Sequence, residues 1–267
     1  MFYALASGLI DTGDLEYVHE LQDIETLNRR ALKGELEVTA VSIHAYAYLA
    51  DRYALLGSGS SMGDGYGPRL VAISPVPADP KGAIAGQRVA VPGTMTTAYL
   101  ALRLYQPAFE PVVMPFDQIE DAVLRGDADC GLLIHEGRFT YERKGLTLLC
   151  DLGTIWEQRM RCPLPLAAIA IRRDLAPQLA PIVDGALRAS VEYAFAHPDA
   201  SRDYVSSLAQ EMDPDVTARH IQLYVNDYTR TLDERAVGRM LEWGQQQGLF
   251  PRADHSVAVF VPAAADA

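Results

Sequence analysis

A histidine and a glutamate close an apolar run in Ile134-His135-Glu136-Gly137-Arg138-Phe139-Thr140-Tyr141. Imidazole titrates near neutrality, so a histidine at the carboxyl end of a strand, facing a cleft, can take a proton from carbon. Glu136 or a backbone carbonyl is the candidate to orient His135. A histidine satisfied by packing alone is the plainer reading of the same residues. No HExxH or other metal-ligand spacing lies near it, so no metal is expected there.

A second stretch, Val89-Ala90-Val91-Pro92-Gly93-Thr94-Met95-Thr96-Thr97-Ala98-Tyr99-Leu100, reads as strand, turn and helix start. Free N–H groups and the positive end of the helix dipole suit such a start to a carboxylate, with Thr96 and Thr97 as added hydroxyl donors. Capping by the threonines is the competing account. The glycine-rich run Leu56 to Pro68 is neither a P-loop nor a GxGxxG followed by a helix. It suits close backbone approach to a flat ligand, or a flexible connector. Asn226 reads first as the carboxyl-terminal cap of a helix, and Trp156 and Trp243 as packing aromatics.

These residues need elements to carry them, and one unit occurs twice. Asp23 to Glu37 predicts a helix capped by Asp23, with Ile24, Leu27, Ala31 and Leu32 on one face and Gly34 as its stop. Asp117 to Asp129 repeats the pattern, and Asp117 with Glu120 has the spacing of a capping box. Each helix leads into an apolar strand, Val38 to Ile43 and Cys130 to Ile134. Those strands end in Ser42 and His44, and in His135 and Glu136. Ligands of open α/β sheets bind beyond the carboxyl ends of strands, so both endings are expected at one crevice. Generic α/β grammar would give the same pattern without true symmetry.

Further strands are expected at Leu70 to Ser74, Arg88 to Val91, Val112 to Met114, Thr147 to Leu152 and Leu166 to Ile171. Helices are expected at Leu175 to Ala196, Ser201 to Gln210, Pro214 to Asn226 and Asp233 to Gln247, most of them packing on the first of two lobes. The division taken is residues 1–86 with 172–267 for that first, larger lobe and 87–171 for the second.

Composition limits the partners. Of 267 residues, 49% are hydrophobic and 22% charged, as in an ordinary globular chain, and no run approaches the roughly 18 apolar residues of a membrane span. A formal charge of −12 disfavours nucleic acid and anionic membranes. The amino terminus lacks the marks of a secretory signal, so a cytoplasmic protein is expected, with a homodimer left open. Cys130, Cys150 and Cys162 are an odd number without CxxC spacing and read as buried thiols.

Taken together, several stretches resemble the 1,4-dihydroxy-6-naphthoate synthase family from Phe2 to about Gly248. They are Asp23 to Asn28, Ser42 to Ala47, Ser58-Gly59-Ser60 with Gly65 to Pro68, Val91-Pro92-Gly93 with Thr96 to Tyr99, His135 to Tyr141 and Leu164-Pro165-Leu166. The resemblance implies an α/β fold of the type II periplasmic-binding-protein kind, two lobes about a cleft. It also implies cofactor-free lyase chemistry in menaquinone biosynthesis, turning cyclic dehypoxanthine futalosine, a carboxylated nucleoside-derived small molecule, into the dihydroxynaphthoate. It makes His135 the leading proton acceptor, with Thr97, Ala98, Ala40, Val41 and Ser42 against substrate, beside the Thr96 already read as a donor there. Ala40 takes a position that relatives can fill with lysine, so a charge there is absent.

Relatives open with a strand and a Ser-Pro-Cys-Pro-Asn-Asp-Thr-like turn that precede the position of Phe2-Tyr3-Ala4-Leu5. The expectation is therefore a missing first strand in lobe one, from a late start codon or a truncation, and unpaired edges beside it. Two other readings stay open: a solute-binding or sensor protein of the same fold, and the chorismate dehydratase of the same pathway.

Overall fold

The computed structural model describes residues 1–73, 75–208 and 213–250. Ser74, Gln210 and residues 251–267, which the expected elements and lobe division include, lie outside them.

In chain order the helices are α1 (Tyr3–Ala6), α2 (Ile24–Lys33), α3 (Ile43–Tyr46), α4 (Pro80–Ile84), α5 (Thr97–Tyr105), α6 (Ile119–Arg125), α7 (Gly137–Thr140), α8 (Leu152–Met160), α9 (Ala176–Ala196), α10 (Arg202–Leu208), α11 (Pro214–Tyr224), α12 (Asp227–Arg230) and α13 (Glu234–Gln246). The strands are β1 (Val38–Ser42), β2 (Tyr53–Leu55), β3 (Ser61–Gly63), β4 (Arg69–Ala72), β5 (Arg88–Val91), β6 (Glu110–Val113), β7 (Cys130–Leu133), β8 (Thr147–Asp151) and β9 (Leu164–Arg172).

Local chemistry explains the first unit. Asp23, extended, accepts a hydrogen bond from the Thr26 N–H, and Gly34 ends α2 at a φ of 74°, where a side chain would be strained. The second unit stops in the same way, at Gly126 with a φ of 80°. Its expected capping box does not form. A 3-10 turn over Phe116–Gln118 leads into α6, and Gln118 caps without a side-chain bond. Glu120 is instead buried against Lys144, whose Nζ lies 2.8 Å away, so its carboxylate has a cation to meet rather than a backbone N–H.

Two sheets organise the chain. In the first, β9 is the spine: antiparallel to β1 from Val38↔Ile171 to Ser42↔Ala167, and antiparallel on its other side to β2 and β3. The second has the order β6-β5-β7-β4-β8, with β5 parallel to β6 and β7, and β4 antiparallel to β7 and β8. Two strands thus depart from the expected lobe division. β4, placed with residues 1–86, belongs to the second sheet, and β9, placed with 87–171, runs through the first. An apolar run shows that a strand exists but not which edge it joins.

Carboxyl-terminal helices cover the first sheet: α9 and α13 pack on β9, and α11 and α12 on β3. The glycine-rich run contributes β3 and then leaves for the second sheet. Where it leaves, the backbones of Tyr66-Gly67 and Gly153 meet so closely that a Cβ on Gly153 would sit 2.0 Å from the Tyr66 carbonyl carbon. Two of its serines bond to distant carboxyl-terminal elements, Ser58 N–H to Asp184 at 2.8 Å and the Ser60 hydroxyl to the Tyr228 carbonyl. Asn226 does not simply end α11. Its Nδ2 donates to the Leu223 carbonyl at 3.2 Å and the Met62 carbonyl at 3.1 Å, while its Oδ1 caps α12 by accepting from Tyr228 N–H.

Candidate active site

β7 delivers His135 just beyond its last residue, in the left-handed region at a φ of 53°. For an L residue this costs about 1 kcal/mol or more, and such strain collects at functional sites. The ring is held between two others. Phe116 meets it edge-on at 5.0 Å, and His220 of α11 stacks on it at 5.9 Å with planes 23° apart. A rim of His135 stays accessible, but the packed atoms around the imidazole remove most of its hydration. That desolvation lowers its pKa to about 4, against the pull of the Asp23 carboxylate in the opposite direction. His135 is therefore a neutral imidazole at neutral pH, able to accept a proton.

Glu136 does not orient it. The Glu136 Oε2 lies 3.7 Å from Nδ1 of His220 instead. Burial, and after it the neighbouring His135, lower the His220 pKa to about 4, with Glu136 opposing and Arg138 adding to the shift. Arg138 in α7 is itself buried. Its guanidinium donates to the Gly67 carbonyl at 3.3 Å, lies 3.5 Å from Asp151 and covers the Tyr66 ring at 4.7 Å. Arg69 shares the same Asp151 at 3.3 Å, so two guanidiniums converge on one carboxylate beside the histidines.

The start of α5 forms a second group. Thr96 caps the helix, accepting from Tyr99 N–H at 3.2 Å and donating to the Gly93 carbonyl at 2.9 Å. Thr97 donates to the Leu166 carbonyl at 2.6 Å and accepts from His44 N–H at 3.3 Å. Both hydroxyls thus serve the protein: Thr96 caps the helix, whereas Thr97 ties its first turn to β9 and α3. The backbone N–H groups of Thr97 and Ala98, first-turn donors, have no acceptor within the helix. His44 Nδ1 lies 3.3 Å from the Thr96 carbonyl, and burial lowers its pKa to about 4.

The first turn of α2 spans the two groups, because residues in a helix advance only about 1.5 Å each. Asp23 at its start acts on His135, and two residues on the Glu25 carboxylate accepts from Met95 N–H at 3.1 Å, in the turn before α5. Asn28, fully buried, ties the next turn down. It accepts from Ser42 N–H at 2.9 Å and donates to the Ser42 hydroxyl at 3.0 Å and the Met95 carbonyl at 3.3 Å. Ser42 is thereby joined to the α5 turn. Val41 is fully buried in the main core, and Ala40 packs at the edge of a second cluster with α9 residues. Among the described residues, no group of three or more His, Cys, Asp or Glu is placed to hold a metal ion.

A family model described as menaquinone biosynthesis matches residues 1–245. The chain belongs to the menaquinone biosynthesis family. Two similar proteins are 1,4-dihydroxy-6-naphthoate synthases. That of Thermus thermophilus is 46% identical over 253 residues, covering 93% of this chain and 90% of that protein. That of Streptomyces coelicolor is 43% identical over 261 residues, covering 94% and 90%. Among solved structures, a protein of Archaeoglobus fulgidus aligns at a TM-score of 0.87 with 44% identity, covering 93% of both chains. The periplasmic aliphatic sulphonate-binding protein of Escherichia coli aligns at 0.63 with 13% identity over 91% of this chain and 81% of that one, a likeness of fold alone.

The resemblance drawn from the sequence and the expected periplasmic-binding-protein fold are both borne out. In this menaquinone biosynthesis family member α2 lies against both His135, through Asp23, and the turn before α5, through Glu25 and Asn28. Sequence reasoning missed Asp23 as a neighbour of His135, and also Glu25, Asn28 and His220. Asn28 had a signal, a polar residue four positions after Ile24 on the apolar face of α2. His220 had none, since nothing around Arg219-His220-Ile221 sets it apart.

Proposed function

We propose that this protein converts cyclic dehypoxanthine futalosine into 1,4-dihydroxy-6-naphthoate, as a cytoplasmic lyase that uses no cofactor. The observation that carries the reading is the desolvated, neutral His135, strained in its backbone and poised beyond β7 in a chain 46% identical to a named synthase. His135 takes a carbon-bound proton, and the electron pair left behind starts elimination and opening of the ribose-derived ring.

The bodies built on the two sheets act as lobes that part to admit substrate and close to exclude water, which strengthens each polar contact inside. The Thr97 and Ala98 N–H groups at the α5 start hold the substrate carboxylate, with Thr96 and Thr97 shaping that turn. The backbone of Ala40-Val41-Ser42 at the end of β1 faces it, the Val41 side chain being buried in the core and that of Ala40 packed toward α9. The guanidiniums of Arg69 and Arg138, sharing one Asp151, add positive potential to a chain of net charge −12.

Purified protein incubated with cyclic dehypoxanthine futalosine and no additive should yield dihydroxynaphthoate by mass spectrometry. Return of that compound unchanged would leave a binding protein of the same fold. Dehydration of chorismate under the same conditions would move the activity to the other enzyme of the pathway.

A further inference from the structure

The ring of His135 is oriented without a hydrogen bond. Among the described residues no carboxylate, carbonyl or hydroxyl bonds to either nitrogen, although a histidine base is ordinarily fixed through the nitrogen that does not react. Glu136, the nearest carboxylate in sequence, faces His220 instead, 3.7 Å from its Nδ1. Packing therefore sets the imidazole plane, while the Asp23 carboxylate acts on the ring through its charge without a hydrogen bond. The edge of Phe116 at 5.0 Å bounds the ring on the side of the second sheet, and the face of His220 at 5.9 Å bounds it from α11. The His220 ring is itself wedged by Tyr224 at 4.6 Å and Phe139 at 6.5 Å.

The two walls come from different bodies. Phe116 and His135 belong to the segments around β6 and β7 of the second sheet, whereas α11 packs on β3 of the first. We infer that His220 is a positioning residue, which holds the His135 imidazole in its reactive plane by stacking and does so only while α11 lies against the end of β7. The base is then complete in the closed protein and loose in the open one. This role rests on His135 being the base, as in the function proposed.

The test uses the full chain and two substitutions, His220→Ala, which removes the stacking face, and His220→Phe, which keeps an aromatic face without nitrogens. His220→Ala should lower kcat about 10- to 100-fold while KM changes less than about 3-fold, because a misaligned group costs rate more than binding. His220→Phe should recover most of that loss. An undiminished kcat in His220→Ala overturns the role, and so does His220→Phe being as slow as His220→Ala, which would assign the work to the nitrogens.

A second measurement needs no turnover. The Hε1 resonance of His135, assigned through its loss in His135→Asn, should move in His220→Ala and stay near its original place in His220→Phe. A stationary resonance in His220→Ala overturns the stacking role whatever the activity. Absence of turnover by the unaltered protein, with the resonance moving as stated, upholds the stacking and overturns only the function on which its catalytic use rests.

Discussion

The Glu25 carboxylate reaches from α2 to the backbone N–H of Met95, 3.1 Å away, and closes the turn before α5 with the protein's own anion. Gly93 in that turn has a φ of 140°, and a Cβ there would stand 2.3 Å from the Glu25 carboxyl carbon, so the approach depends on glycine. Asn28, one turn further along, makes two buried bonds to Ser42 and a part-buried one to Met95 where Glu25 makes one to backbone.

The two anchors should therefore differ in strength. Glu25→Ala loses the bond from Met95 N–H and an exposed ion pair with Arg29 and should cost about 1–1.5 kcal/mol, whereas Asn28→Ala leaves buried Ser42 groups unsatisfied and should cost about 2–3 kcal/mol. Urea denaturation of both variants measures the order, and equal midpoints would contradict the bonding described.

Replacement of His135 separates chemistry from fold. Asparagine tolerates the left-handed region better than most residues, so His135→Asn relieves rather than adds backbone strain. Its thermal midpoint should match the parent within a few degrees, while product formation falls at least about 100-fold, the scale of a lost general base. Turnover near the parent rate would remove His135 from the reaction.

A methyl group at Gly153 has nowhere to go. Both atoms it would meet first, the Tyr66 carbonyl carbon and oxygen, are backbone. Gly153→Ala should therefore destabilise by about 3 kcal/mol, the upper part of the range for overpacking. An unchanged denaturation midpoint would mean that the crossing between the sheets is looser than described.

Acid should unfold the protein through its neutral histidines. His44, His135 and His220 each titrate at about 4 in the fold against 6.5 in the open chain, so between those values the unfolded state binds more protons. A lowered histidine pKa contributes stability that is fully present above pH 6.5 and is lost as pH falls toward 4, at about 1.4 kcal/mol per pH unit for each group. Denaturant midpoints at pH 7 and pH 4.5 should show the fall. His44→Phe should flatten it, since His44 is the most deeply packed of the three. A flat profile in the parent protein would show that these rings are hydrated.

Much of this was legible locally. Asp23, Gly34, Gly126 and Thr96 mark element ends through side-chain acceptors or tolerance of positive φ, and both operate within a few residues. β5 lies where its apolar run ends against Pro92-Gly93. β2 and β3 went unread because strands of three residues are too short to show alternation. The sheet membership of β4 and β9 depends on partners distant in sequence. The site divided in the same way. His135 could be found from the end of its own strand, but His220 matters only through an encounter across the two sheets, which no local pattern encodes.

β9 imposes a timetable on synthesis. Every strand of the first sheet is joined through it, so β1, made near residue 40, has no partner until residues near 170 emerge. The second sheet is complete once Asp151 is out. A chain growing from its amino end can thus settle its middle segment first and must keep its earlier strands waiting, exposed to wrong pairings. Slow closure of long loops makes that wait the stage at which folding helpers matter most.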